Sequence, residues 1–295
     1  MPTSKQIQIM PTVVDPRTSI VPTPQHAPFR KRIAFAIGRI LALVMRTRAN
    51  AIESGTRIRA PHLLDRLIRN GIQAQALQER DHVRLRDIHR NYWSKEALKF
   101  GSDYGFRFEE QFLQFDVEML RVAFKHFDRN NLDSVIELGC GNGKVLEYVS
   151  QQIASCEEFI GIDIDPNRID ANKHHYEGQQ LEFVTGNALS WLQTHVKPSM
   201  MLMTNGGVLE YFLHSEVIEI FELAAQQSNT AIALIETVGS DHDLDKDTQT
   251  HPYGREFAFS HNYLHLLKEA GFKIRHFSER RCENGDRWVR IFATH

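Results

Sequence analysis

The sequence predicts an α/β protein: a doubly wound, seven-stranded, mostly parallel sheet with an antiparallel C-terminal hairpin, preceded by an N-terminal helical extension. Three observations predict it. From Asp133 onward, short apolar runs alternate with segments of helical period, the rhythm of strands joined by crossover helices. The last two strand candidates flank Asn284-Gly285, a dipeptide that favours a tight hairpin turn. Before Asp133, apolar residues recur three and four apart, which is the spacing of a helix face.

Residues 1–28 are proline-rich and lack the apolar core of a secretory signal, so they read as an irregular lead. Residues 29–48 read as a helix, with Ile33, Ile37, Ile40, Leu41 and Val44 on one face. Arg30, Lys31, Arg32, Arg39, Arg46 and Arg48 flank or interrupt that stripe. Two readings stay open: a basic amphipathic helix lying on an anionic membrane, or a helix packed on its own domain or on a second copy in a homodimer. The apolar stretch Ile33 to Met45 is too short to span a bilayer. Pro61 to Asn70 reads as a short helix ending near Gly71. Phe108, Phe112, Phe115, Met119, Val122, Ala123 and Phe127 mark a further helical stretch over 107–128. The chain thus divides into a lead (1–28), a helical extension or cap (29–130) and a main α/β domain (131–295).

In the main domain, strands are expected at Ser134–Leu138, Glu158–Ile162, Glu182–Thr185, Met200–Thr204 and Ala231–Glu236. Helices fit between them near 144–153, 167–176, 188–195 and 214–226. A helix from His261 to Ala270 stops at Gly271. Strands Phe272–Phe277 and Arg287–Thr294 complete the sheet.

Charge is unevenly spread. Residues 1–100 hold 18 Lys and Arg against 7 Asp and Glu, whereas the whole chain is nearly balanced at a formal net charge of -2. The basic half meets either an anionic partner or the acidic half of its own fold. Cys140, Cys156 and Cys282 fit neither a disulfide framework nor a zinc pattern, and suggest a reducing, cytoplasmic setting.

The chemistry concentrates where the first strand ends. Glu137-Leu138 runs into Gly139-Cys140-Gly141-Asn142-Gly143 and then a helix beginning near Lys144. Glycines let a backbone turn tightly and approach a ligand, and the helix start offers free N–H groups. The dinucleotide fingerprint wants a third glycine where Lys144 stands, and the Walker loop wants Ser or Thr where Val145 stands, so both fail. The second strand ends in Asp163, 24 residues after Gly139, where a carboxylate can accept ribose hydroxyl hydrogen bonds.

The run Glu-Leu-Gly-Cys-Gly-Asn-Gly closely resembles the first motif of the class I S-adenosylmethionine-dependent methyltransferases, and the resemblance extends over roughly 130–295. It implies S-adenosyl-L-methionine as cofactor, lying over Gly139, Cys140, Gly141 and Gly143. It implies that Glu137 holds the loop and helps bind the cofactor's amino group, that Asp163 binds the ribose, and that Ile164 lies beside the adenine. Asn187 and Ala188 are implied as adenine contacts, although the family usually has Asp where Asn187 stands. Asn205 and Gly206, after the fourth strand, are expected to line the methyl-transfer cavity.

The acceptor is less legible. The motifs for methylating exocyclic base amines or pyrimidine carbons are absent. A small-molecule acceptor methylated on oxygen or nitrogen is the leading expectation. An RNA or other nucleic-acid methyltransferase using the basic N-terminal half is an alternative. A non-catalytic cofactor-binding or membrane-associated regulatory protein is another. Base candidates among the 15 histidines are His251 and His261. The acidic loop Ser240–Asp247 lacks calcium-loop spacing and reads as a solvated flexible segment, with no metal expected.

Overall fold

Strand β1 (Ser134–Leu138) is buried at every position. It pairs in parallel with β2 (Glu158–Asp163) on one side and β4 (Met200–Asn205) on the other. Both faces of such a strand must be covered, which is why Ser-Val-Ile-Glu-Leu carries so little polarity. The computed structural model describes residues 29–56, 63–96, 108–254, 256–282 and 287–295. With β3 (Glu182–Thr185), β5 (Ala231–Val238), β8 (Lys273–Arg281) and β9 (Arg287–Thr294), the sheet runs β3-β2-β1-β4-β5-β9-β8. Strands β8 and β9 are antiparallel, as expected; their turn residues Asn284-Gly285 lie outside the described residues.

The strand order reverses between β1 and β4, so a crevice opens at their carboxyl ends. Helices cover both faces. Helices α5 (Val117–Arg129), α6 (Lys144–Gln152) and α7 (Pro166–His175) close one core, with Phe127, Leu146 and Ile169 fully buried. Helices α8 (Ala188–His195), α9 (His214–Ala225) and α10 (Tyr263–Glu269) close the other, around Leu192, Val217 and Leu267.

Three features of the fold differ from expectation. The helix over 29–48 breaks at Met45 (φ -108°, ψ 50°) into α1 (Phe29–Val44) and α2 (Arg46–Glu53). The helix expected to stop at Gly71 continues as α3 (Leu63–Glu79). Gly71 serves packing there instead of termination: it meets Gly38 of α1 so closely that a Cβ on Gly38 would lie 2.0 Å from the Leu67 carbonyl oxygen. The third difference is a hairpin that was not anticipated, β6 (His251–Tyr253) with β7 (Ala258–Ser260). Its Phe257 and Phe259 complete a small core with Phe35, Ala74, Leu77 and Leu85.

Helix α4 (His82–Glu96) ties this cap to the sheet. Arg86 and Arg90 both pair with Glu216 near the start of α9, at 2.7 and 2.9 Å. Phe108–Asp116 is π-helical and leads into α5, and buried Asp116 accepts a 2.5 Å bond from Arg290 of β9. Among the described residues no helix is long and apolar enough to cross a membrane.

Candidate active site

The glycine loop is held by its neighbours on every side. Gly139 and Cys140 both donate backbone N–H bonds to the Ile162 carbonyl, at 2.7 and 2.9 Å. Gly141 donates to Asp163 Oδ2 at 2.9 Å, and Asn172 of α7 donates back to the Gly141 carbonyl at 2.8 Å. Gly139, Gly141 and Gly143 all have positive φ, a region that costs a side-chain-bearing residue about 1–2 kcal/mol. Their lack of a Cβ is also spatial at two positions. A Cβ on Gly139 would meet Val208 Cγ2 at 2.6 Å, and one on Gly143 would meet Phe183 and Tyr176 at 2.8 Å.

Asp163 sits at the end of β2 beside this loop. Its second oxygen accepts from Asp165 N–H at 2.9 Å. Burial pushes its pKa up, and the two backbone N–H donors oppose that. A carboxylate has about four acceptor positions, so two remain for hydroxyl hydrogens. Glu137 lies deeper, only 2% exposed, and Oε2 has no hydrogen-bond partner. Burial first, and nearby Asp163 second, hold its pKa well above the ordinary carboxylate range. An unpartnered polar atom beside a cradle that a Cβ would fill is what a bound polar ligand would complete.

The other expected contacts are spread around the same edge. Cys140 contributes backbone only. Its thiol is buried, tucked behind Gly161, and pushed well above the usual thiol range by burial. Ile164 is half-buried after β2, and Ala188 is buried at the start of α8. Asn187 caps α8, its side-chain oxygen accepting from Ser190 N–H at 3.1 Å. Asn205 ends β4, and Gly206 follows with φ +92°.

The two histidines stand apart from this group. His261 is fully buried, with Nδ1 on Thr250 Oγ1 at 2.9 Å and Nε2 on the Leu209 carbonyl at 3.1 Å. Burial lowers its pKa to about 3, so the ring is neutral and its nitrogens are occupied in bracing the segment after β4. His251 of β6 lies 3.7 Å from Asp247 and its ring centroid is 4.5 Å from that of His242. His242, Asp247 and His251 are of metal-ligand type and cluster within 4.8 Å. Both nitrogens of His242 are engaged, with Ser260 Oγ at 2.7 Å and the Asp247 carbonyl at 3.0 Å. The loop Ser240–Asp247 is therefore not simply solvated: His242 is buried within it, and Asn262 binds the Leu244 and Asp247 carbonyls at 2.8 Å.

A second polar group, not foreseen from the sequence, gathers at the carboxyl ends of β4 and β5. Tyr253 of β6 donates its hydroxyl to Glu210 and lies 2.7 Å from Thr237 Oγ1. Glu210 belongs to the short 3-10 turn Leu209–Tyr211, directly after the Gly206-Gly207 pair. Burial raises its pKa to about 7. Glu236, wholly buried at the end of β5, accepts N–H bonds from Val208 and Leu209 at 3.0 and 3.1 Å and is raised to about 8, chiefly by burial. Helix α4 crosses above: His89 and Trp93 pack on Tyr211, with ring centroids 5.2 and 5.5 Å away. One signal lies in the sequence of β5, where Glu236 interrupts an otherwise apolar run two residues before the strand ends.

Residues 135–227 match the family described as a methyltransferase domain. The matched segment holds much of the candidate site. Its glycine loop, Asp163 and the segment after β4 all fall within the matched residues. No curated protein matches the chain. Among solved structures, the chain is similar to a magnesium protoporphyrin IX methyltransferase from Synechocystis PCC 6803 with bound S-adenosylmethionine. Identity is 15%, coverage 72% of this chain and 97% of that one, and the TM-score 0.46. It is also similar to S-adenosylmethionine-dependent methyltransferases from Clostridium acetobutylicum and Mesorhizobium loti. These show 8% and 12% identity, cover 65% and 59% of this chain and 97% and 96% of those, and score 0.46 and 0.42. Likeness this distant says nothing of the acceptor.

Proposed function

We propose that the protein transfers a methyl group from S-adenosyl-L-methionine to an oxygen or nitrogen of a small acceptor. The observation that carries the reading is the glycine loop Gly139–Gly143 braced by Asp163 at the point where the strand order reverses. The cofactor supplies an electrophilic methyl on a sulfonium, with a leaving group that is neutral once it departs. The residues that would hold it are the loop backbone, Asp163 for ribose hydroxyls, and Ile164 and Ala188 for the adenine, with Glu137 bracing from below.

The protein's own tasks are alignment, exclusion of water and removal of one proton. Alignment falls to Asn205 and Gly206, at the end of β4 beside the loop. Exclusion of water falls to α4, which crosses the carboxyl edge with Trp93 on Tyr211. Proton removal is assigned to Glu210. Its carboxyl is set next to Tyr253 and Thr237, and a pKa of about 7 suits a general base near neutrality. A cavity of about 310 Å³ lies between α1, α3 and α4, and its wall residue His89 packs on Tyr211.

Calorimetric titration of the full chain with S-adenosylmethionine and with S-adenosylhomocysteine tests the reading. Micromolar binding of either supports it and opens a screen of small phenols, acids and amines with labelled methyl. Folded protein that binds neither would remove the enzymatic reading.

A further inference from the structure

Helix α1 is fixed in rotation and turns an apolar face outward. Its inner face holds Phe35, Gly38, Leu41 and Ala42 against α3, where Gly38 and Gly71 come into backbone contact. A helix seated on such a contact cannot roll to bury its other side, because any side chain rotated into the crossing would strike the Leu67 carbonyl. The outer face carries Ile33, Ile37, Ile40, Leu43 and Val44, between 44% and 77% exposed. At 100° per residue, Ile33, Ile37, Ile40 and Val44 fall within one narrow sector. Leu63, at the start of α3, is also exposed, at 67%. Soluble proteins rarely leave a contiguous patch of this kind uncovered.

The charge pattern around the face selects its partner. Between Asp15 and Glu53 the sequence contains no acidic residue, and it holds seven Lys or Arg: Arg17, Arg30, Lys31, Arg32, Arg39, Arg46 and Arg48. By helical geometry position 39 falls beside the apolar sector, next to Leu43. Arg39 is exposed and reaches along α3 to Gln78 at 2.7 Å, and Arg46 is exposed just past the end of α1. An apolar stripe edged by cations fits a lipid interface carrying negative headgroups. A second copy of the same face would instead bring like charges together.

We propose that α1 seats the protein on an anionic lipid surface. Ile33, Ile37, Ile40, Leu43 and Val44 enter the acyl boundary, and Arg39 and Arg46 meet the headgroups. Phe35, on the inner face of α1, stays in the wall of the cavity between α1, α3 and α4.

Sedimentation of the full chain with vesicles tests this. Phosphatidylcholine vesicles are compared with vesicles of equal parts phosphatidylcholine and phosphatidylglycerol, at low and at high salt. Binding is expected to the anionic vesicles only, and to weaken as salt rises. The double variant Ile37→Asp/Ile40→Asp changes two exposed side chains, so its thermal unfolding should match the parent. Its vesicle affinity should fall by more than about tenfold. Absence of binding to anionic vesicles overturns the proposal, as does binding that the double variant leaves unchanged. A parent that sediments as a dimer, with the double variant monomeric, also overturns it and assigns the face to a second copy.

Discussion

Replacing Gly139 by alanine probes the glycine loop at its tightest point. Two costs add. The residue sits at φ +71°, where an alanine pays about 1–2 kcal/mol of backbone strain. The new Cβ would also lie 2.6 and 2.8 Å from the two γ-methyls of Val208, an overpacking worth about 1–3 kcal/mol. The expected loss is roughly 2–5 kcal/mol, a large fraction of the 5–15 kcal/mol that holds a typical domain folded. The second cost is separable, because Val208→Ala removes the methyls that the new Cβ strikes. In equilibrium urea unfolding, Gly139→Ala should lose most, and Gly139→Ala/Val208→Ala should be more stable than the sum of the single changes predicts. Calorimetric titration with S-adenosylmethionine should follow the same order, since the loop is displaced toward the ligand side only while Val208 blocks it. An unchanged unfolding midpoint for Gly139→Ala, or strict additivity in the double variant, would refute the argument.

Three further outcomes follow from buried charge. Glu210→Gln should lower turnover by about 10²–10⁴-fold on any acceptor that must lose a proton, while cofactor affinity stays put. The parent's rate should climb with pH through about 7, where Glu210 ionises, and that limb should vanish in the variant. Glu236 keeps its proton in the folded chain up to about pH 8 but gives it up near its ordinary value when unfolded. The folded state therefore binds more protons between those limits, and stability is lost as pH rises through them. Urea unfolding across that window should show a flatter pH slope for Glu236→Gln, whose amide oxygen can still accept from Val208 and Leu209. Asp116→Ala strands Arg290 as a buried cation and should cost about 3–5 kcal/mol in the same assay.

The parallel core of the fold was legible because its signals are local. Buried strands such as Ser134–Leu138 and Met200–Asn205 read as apolar runs, and crossover helices read through caps such as Asp165 before Pro166. The cap misled where tertiary contact overrode a local rule. Gly71 looks like a helix terminus, yet it exists so that Gly38 can touch it, a fact held in a residue 33 positions away. Strands β6 and β7 have three residues each, too few for a period of two to declare itself. Around the site, the glycine loop and Asp163 announced themselves by spacing. Glu210, Tyr253 and Thr237 did not, because they come from three separate segments and meet only in the fold. The histidines drew attention by type alone, and burial gave His261 a different task.

The shared core between the N-terminal helices and the β6–β7 hairpin bears on how this architecture can be rearranged. Phe257 and Phe259 have their apolar partners in Phe35, Ala74, Leu77 and Leu85, more than 150 residues earlier in the chain. Cutting away the helices would leave two phenylalanines bare beside Tyr253, and deleting the hairpin would open the floor of the helical cap. The two segments form one packing unit, and a laboratory chimera that exchanges one of them is expected to fold only when the other travels with it.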